Sequence, residues 1–155
     1  MNSLDLAFIG NCSVDALTDR RGRIVWACLP HFDGDPVFSS MLGGDEASQG
    51  LFEVELIGLE RAEQSYWRNS AVLETRLYDD AGNAAVIVDF APRYDLFNRV
   101  FRPSMLVRRI SPLSGTPRIR IRLRPRYDYG SGVPEVTRGS NHIRFVMPEL
   151  ALRLT

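Results

Sequence analysis

The segment Arg118-Ile119-Arg120-Ile121-Arg122-Leu123-Arg124 alternates basic and apolar side chains without interruption. Successive side chains of a β-strand point to opposite faces of the sheet, so this period of two predicts a strand with one apolar and one basic face. We expect the apolar face to join the core. The basic face could hold phosphate or a nucleic-acid backbone, or it could be a solvated or interface face paired with Asp and Glu of the neighbouring strand.

Short apolar segments of the same kind lie on both sides of this strand, separated by glycines and prolines. Two pairs of segments flank glycine-containing turns and predict hairpins, residues 14–17 with 23–29 and residues 72–78 with 84–90. Further strands are predicted at residues 51–57, 104–110, 119–125, 142–147 and 150–154.

Helical features are confined to residues 36–42, where Pro36 would occupy the first turn and Gly43-Gly44 would end the helix. No helical stripe of three or more turns occurs. Many short strands with turn signals between them indicate an all-β fold, an antiparallel sandwich or a barrel, in one unit over residues 1–155.

The charges balance, with 19 Lys+Arg against 19 Asp+Glu. All the basic residues are arginine, a bias that GC-rich codon usage explains and that suggests a bacterial source. A neutral chain has no electrostatic reason to seek nucleic acid or an acidic membrane, so we expect neither partner. There is no apolar run of the ~20 residues that a membrane span needs and no signal-peptide pattern at Met1, so we expect a cytoplasmic protein.

The sequence offers little chemistry. Cys12 and Cys28 are expected to be buried free thiols, with a disulfide between them as the alternative. The histidines are His31 and His142 alone, and neither a nucleophile motif nor a phosphate-binding loop is present. We therefore expect no catalytic residue, no metal site and no cofactor in this chain.

The segment Trp26-Ala27-Cys28-Leu29-Pro30-His31-Phe32-Asp33 ends a strand at a proline and then presents a histidine, an aromatic ring and an acid. Loops at strand ends are where functional sites lie. In the alternative, Phe32 packs inward and Asp33 caps the helix near Pro36. Asp33 and Asp35 are close in sequence, but an irregular loop gives no reason to expect the carboxylate spacing of a glycosidase.

Short motifs form a series along nearly the whole chain: Ile9-Gly10-Asn11-Cys12, Ala16-Leu17, the segment from Gly22 to Asp33, Val37-Phe38, Leu42, Val72-Leu73-Glu74-Thr75, Val88-Asp89-Phe90-Ala91-Pro92 and Pro125-Arg126-Tyr127-Asp128-Tyr129-Gly130. In order and spacing the series resembles the opening of glycoside hydrolase family 15, the bacterial glucoamylases and trehalase-like enzymes. Two positions depart from the family pattern: His31, where arginine is frequent, and Asn11, where aspartate is common.

The resemblance implies an amino-terminal β-supersandwich of the galactose-mutarotase-like type, which precedes an (α/α)6 barrel that carries both catalytic glutamates. The long helices of that barrel do not occur in this sequence. The chain is thus expected to be a non-catalytic domain that packs on the barrel and shapes the active-site rim of an enzyme acting on starch oligosaccharides or trehalose. Trp26, His31, Phe32 and Asp33 are the rim or interface candidates.

The alternative function is a stand-alone carbohydrate-binding module. Such a module would present two or three coplanar aromatic side chains on one face, whereas a docking domain would expose an apolar patch with loops beside it.

The last predicted strand reaches Thr155 without a closing turn, and the resemblance implies a sandwich that continues beyond this point. We therefore expect an edge with unpaired backbone groups and apolar side chains. The expected consequence is self-association, through the last strand or through the apolar face opposite the arginine row, with a two-fold dimer as the commonest arrangement.

Overall fold

The computed structural model describes residues 5–43 and 50–155, and β-strands dominate both ranges. The strands are β1 (Ala7–Gly10), β2 (Asp15–Thr18), β3 (Ile24–Cys28), β4 (Pro36–Phe38), β5 (Leu51–Leu56), β6 (Leu59–Tyr66), β7 (Leu73–Asp79), β8 (Ala84–Phe90), β9 (Tyr94–Leu96), β10 (Arg99–Phe101), β11 (Val107–Ser114), β12 (Ile119–Arg124), β13 (Glu135–Arg138), β14 (Ile143–Val146) and β15 (Ala151–Leu154). Helix in these ranges is limited to α1 (Ser40–Gly43) and a 3₁₀ turn at Asp128–Gly130.

Two antiparallel sheets face each other. The first has the order β1-β2-β3-β5-β12, with β4 also paired to β3, and the second has the order β11-β8-β7-β6. Val54 and Leu56 of the first sheet pack against Leu77 and Ile87 of the second, and all four side chains are buried. The predicted all-β antiparallel sandwich is confirmed. A three-stranded sheet, β13-β14-β15, and the hairpin β9-β10 adjoin it.

Both predicted hairpins are confirmed, because β2 pairs with β3 and β7 pairs with β8 in antiparallel register. The turn between β2 and β3 needs glycine for two reasons. Gly22 has a φ of 76°, which side chains other than glycine rarely adopt. A Cβ at this position would also lie 3.2 Å from Ile87 Cδ1 and 3.3 Å from Thr75 Cγ2, because the turn packs against the second sheet.

The helix predicted at residues 36–42 is wrong over its first half. Pro36–Phe38 forms β4, since its three residues are buried and pair with β3. Helix α1 begins only at Ser40. Gly44, which was expected to help end the helix, lies outside the described residues.

One predicted strand is shifted, and five other strands were not predicted. The strand predicted at residues 104–110 is β11, which begins at Val107, and the Ser104 side chain is bonded to the carbonyl oxygen of Pro30. The sequence analysis did not predict β1, β6, β9, β10 and β13, most of which present polar or exposed faces without a clean alternation.

Only one end of the apolar face of β12 joins the core, contrary to the expectation that the whole face would do so. Ile121 is paired with Val54 of β5, and their side chains therefore share the inner face of the sheet. β12 is nevertheless the outermost strand, and Ile119 and Ile121 remain 39% and 51% exposed. Leu123 alone of these three packs against the main core cluster.

A buried arginine of the second sheet forms an ion pair within that sheet and hydrogen bonds to the first. Arg108 of β11 binds Asp89 of β8 through two hydrogen bonds of 2.7 and 2.9 Å, and the two side chains are 3% and 1% exposed. The same guanidinium donates to the carbonyl oxygen of Phe52 in β5, at 3.1 Å, and to that of Gly22 in the turn between β2 and β3, at 2.7 Å. Four donor contacts on both sheets therefore compensate the desolvation of this arginine.

Candidate functional site

Asn11 holds together loops that follow the ends of β1, β8 and β10. It is buried, and its Nδ2 donates to the carbonyl oxygens of Pro92 at 2.8 Å and Pro103 at 3.0 Å. Its Oδ1 accepts the backbone N–H groups of Ser13 and Val14. An ionised aspartate has no N–H to donate, so asparagine is the residue that fits this pair of carbonyl groups.

The loop that begins at Pro30 belongs to the same cluster. Ser104 Oγ donates to the carbonyl oxygen of Pro30 at 2.9 Å, and the backbone N–H of Phe32 donates to that of Ser13 at 3.1 Å. The chain beyond β3 is therefore fixed against the loops after β1 and before β11.

The four predicted rim residues do not lie in equivalent places. His31, Phe32 and Asp33 are exposed on the loop, Phe32 by 59%, whereas Trp26 is partly buried in β3. Phe32 does not pack inward, and that alternative is wrong. The capping role considered for Asp33 is also wrong, because Pro36 begins a strand rather than a helix.

Asp35 has a structural role. Its carboxylate accepts the backbone N–H groups of Asp128 at 2.5 Å and Tyr129 at 3.3 Å, and it thereby fixes the 3₁₀ turn. Asp128 and Tyr129 both have positive φ angles, of 50° and 51°, a conformation that these two bonds help to hold. The carboxylate of Asp35 therefore holds this turn in place.

Cys12 and Cys28 are both free, as predicted, and the disulfide alternative is wrong. Only Cys28 is buried; burial raises the pKa of its thiol, the negative charge of Asp15 raises it further, and a hydrogen bond with Trp26 lowers it. Cys12 is exposed in the loop cluster, contrary to the prediction, with its Sγ 3.6 Å from Nη1 of Arg93.

The hairpin of β9 and β10 projects from the two carbonyl groups that Asn11 binds, because it lies between Pro92 and Pro103. All six of its strand residues are exposed. Its exposed apolar side chains, which we call the apolar hairpin, are Tyr94, Leu96, Phe97, Val100 and Phe101. The sequence analysis missed this surface.

The tip of the apolar hairpin is strained. Leu96 pairs with Arg99, so Phe97 and Asn98 form a two-residue turn, with φ angles of 50° and 58°. Asparagine tolerates this region, whereas a residue such as phenylalanine pays about 1–2 kcal/mol to occupy it. The Phe97 side chain is 87% exposed and obtains no compensating burial within the described residues.

The arginine row has acidic partners on the neighbouring strand. Arg120 contacts Glu55 at 3.3 Å, and Arg122 contacts Glu53 at 2.6 Å and Glu55 at 3.2 Å. Arg118 and Arg124 form no ion pair within the part of the chain that the structure describes.

Residues 5–43 and 50–155 contain no group of three or more His, Cys, Asp or Glu side chains placed to hold a metal ion. None of their helices is long and apolar enough to cross a membrane.

A family model described as trehalase-like, N-terminal matches residues 4–152. Among curated proteins, Trehalase 1 of Sulfolobus acidocaldarius is 30% identical over 143 residues, which are 92% of this chain and 23% of that protein. The trehalase of Thermoplasma volcanium is 27% identical over 140 residues, which are 89% of this chain and 22% of that protein.

The chain therefore spans less than a quarter of the length of these two relatives. Both come from archaea, so the bacterial source suggested by the arginine bias stays a prediction. No solved structure gives a significant match to the chain.

Proposed function

Because the chain belongs to the trehalase-like N-terminal family, we propose that it packs on the catalytic (α/α)6 barrel of a trehalase-like enzyme and helps to shape the rim of its active site. The enzyme would hydrolyse an α-glucosidic bond, and the names of the two relatives favour trehalose over starch oligosaccharides as substrate. The domain supplies no catalytic residue in this proposal. Its partner is the barrel, and neither nucleic acid nor a membrane is involved.

The observation that carries the docking proposal is the apolar hairpin. Five apolar side chains, including a phenylalanine at a strained tip, are exposed beside the loop cluster. Full burial of a large apolar side chain is worth roughly 1.5–3 kcal/mol, so a partner that covers even part of this hairpin gains several kcal/mol. Arg93, Arg99 and Arg102 flank these side chains, which favours a partner surface with an apolar cleft and an acidic border.

The loop with His31, Phe32 and Asp33 supports the rim part of the proposal. It is fixed by the bonds from Ser104 and to Ser13, yet its side chains are exposed. A loop with a fixed backbone and free polar and aromatic side chains suits contact with a neighbouring domain or a sugar.

The docking proposal can be tested in the full-length enzyme with Phe97→Asn. Asparagine relieves the strained turn, so the domain on its own should keep or raise its melting temperature. The full-length enzyme should instead lose apolar contact, and its unfolding should separate into two transitions in calorimetry.

Val136→Asn is the matched control, because Val136 is also exposed but lies in the separate sheet of β13. If Phe97→Asn leaves the full-length enzyme with the same single transition as the control, the apolar hairpin does not dock on the barrel.

The rim proposal has its own test, with His31→Ala and Asp33→Ala in the same enzyme. Both side chains are exposed, so the fold should survive while kcat/KM for trehalose changes at least a few-fold. Unchanged kinetics accompanied by a lower melting temperature would show that the two residues only stabilise the loop.

The alternative of a stand-alone carbohydrate-binding module receives less support from the aromatic residues. Tyr94 and Phe101 stack on each other, with centroids 5.7 Å apart and an interplanar angle of 12°, so each ring covers one face of the other. They do not form a side-by-side platform for a sugar. Calorimetric titration of the chain with trehalose and maltoheptaose should accordingly give no heat of binding.

A further inference from the structure

Three of the four outer strands of the two main sheets carry a device that hinders further strand pairing. In β1, the Tyr66 hydroxyl donates to the carbonyl oxygen of Phe8 at 2.7 Å and accepts its N–H at 2.8 Å. β11 contains Pro112, which lacks an N–H group, and a register shift follows it. β6 presents the exposed charges of Glu60, Arg61 and Glu63.

The fourth outer strand, β12, contains no proline and no register shift, and its exposed charges are all of one sign, those of its arginines. One edge of β12 pairs with β5 without any register shift, and within the described residues the other edge pairs with no strand. Ile119 and Ile121 are exposed on the inner face beside this free edge. A strand added here would therefore gain both backbone hydrogen bonds and apolar burial.

The edge of β12 that is already occupied shows which side chains its faces accept. Opposite Arg122, Ile121 and Arg120 stand Glu53, Val54 and Glu55 of β5, so acidic residues meet the basic face and an apolar residue meets the apolar face. The ion-pair contacts of 2.6 to 3.3 Å show that the acids bind the arginines rather than merely face them.

A second copy of β12 does not fit the free edge. In an antiparallel pair the directly opposed side chains lie on the same face of the sheet. A two-fold pairing of β12 with itself either sets arginine against arginine or places the apolar side chains on the basic face. The arginines of β12 thus exclude self-pairing, and Arg118 and Arg124 remain without an ion pair in the described part of the chain.

We propose that the free edge of β12 is a strand-addition site for an extended protein segment whose side chains alternate between acidic and apolar. The acids bind the arginine row, including Arg124 and Arg118, and the apolar residues cover Ile119 and Ile121. This site is independent of the docking proposal, because it lies on another strand and involves none of the hairpin residues.

A peptide with the sequence of residues 50–57, GLFEVELI, is the probe, since it reproduces the strand that β12 already pairs with. The control peptide is GLFQVQLI, which keeps shape and hydropathy but removes both charges. Two cross-strand ion pairs at about 0.2–1 kcal/mol each predict that the acidic peptide binds the full chain about 2- to 30-fold more tightly.

Residue-resolved hydrogen exchange locates the binding. The acidic peptide should slow exchange at those backbone amides of β12 that are not bonded to β5, while the amides between β5 and β12 keep their protection. Loss of that protection would mean that the peptide displaces β5, and this result overturns the proposal.

Reversing the charge of Arg118 and Arg124 tests whether these two arginines bind the acidic peptide. Arg118→Glu/Arg124→Glu should reduce the preference for the acidic peptide over the glutamine peptide. Arg99→Glu, in the separate β9-β10 hairpin, should change nothing. Absence of binding, or equal binding of the acidic and glutamine peptides, would show that the arginines serve only to keep other strands away.

Discussion

Arg108→Met is expected to destabilise the domain severely, because the substitution leaves the Asp89 carboxylate buried without its partner. The Asp89 side chain is 1% exposed, so water cannot replace the two hydrogen bonds that the guanidinium provides. The bonds to the carbonyl oxygens of Phe52 and Gly22, which link the two sheets, are lost as well. Breaking a buried ion pair from one side typically costs 3–5 kcal/mol, against a total stability of about 5–15 kcal/mol.

Urea unfolding of the purified chain measures this cost. With a slope of about 2 kcal/mol per molar urea, a loss of about 4 kcal/mol lowers the midpoint by about 2 M. Arg109→Met is the matched control, because Arg109 is the exposed neighbour on the same strand, and its substitution should change stability by no more than about 0.5 kcal/mol.

A double variant distinguishes the free energy of the ion pair from the cost of leaving one buried charge without its partner. In Arg108→Met/Asp89→Leu no buried charge remains, so the double variant should be more stable than either single variant. A loss of less than about 1 kcal/mol in Arg108→Met, or a loss in the double variant equal to the sum of the two single losses, would contradict a buried, mutually dependent pair.

Four other predictions concern the activity, the cysteines and the self-association of the chain. The purified chain should release no glucose from trehalose or maltooligosaccharides, because the Asp35 carboxylate is bonded to a turn and the proposal assigns both catalytic glutamates to the barrel; release that Asp33→Asn abolishes would contradict the accessory-domain proposal. A thiol reagent at pH 8 should label Cys12 alone, and both cysteines only after unfolding. Because the pKa of Cys28 is raised above its ordinary value of 9.0, this group stabilises the fold below that pH and the contribution is lost as pH rises further, so Cys28→Ser should flatten the decline. The chain should self-associate at high concentration through the free edge of β15 or the exposed apolar face of β12; sedimentation as a 17.5 kDa monomer would refute this.

The strands that the sequence analysis identified are those whose side-chain pattern reflects burial. Residues 72–78 carry apolar side chains in alternation with polar ones, and residues 84–90 are largely apolar. The two segments flank a glycine turn and form the centre of the second sheet. The apolar hairpin escaped prediction because all six of its strand residues are exposed, so its sequence shows no alternation between a buried and a solvent-facing side. Its one local signal was Phe97-Asn98, and asparagine alone is a weak turn marker when no glycine accompanies it.

The candidate site was predictable in position but not in its contacts. Pro30 ends β3 and marks the loop, whereas the hydrogen bonds of Asn11 depend on where Pro92 and Pro103 lie in space. The same holds for Arg108 and Asp89, whose pairing follows from strand order and register. Residues 36–38 were misassigned because a proline followed by two apolar residues is compatible with either a helix start or a short edge strand.

The positive φ of Phe97 also bears on attempts to improve the protein. A library of the isolated chain ranked by heat tolerance should enrich asparagine or glycine at this position, since either relieves about 1 kcal/mol of backbone strain. Such a selection measures only the stability of the isolated domain and not its docking on the barrel. It would therefore remove the side chain that we assign to docking, and the most heat-tolerant isolate would be the one least able to rejoin a barrel.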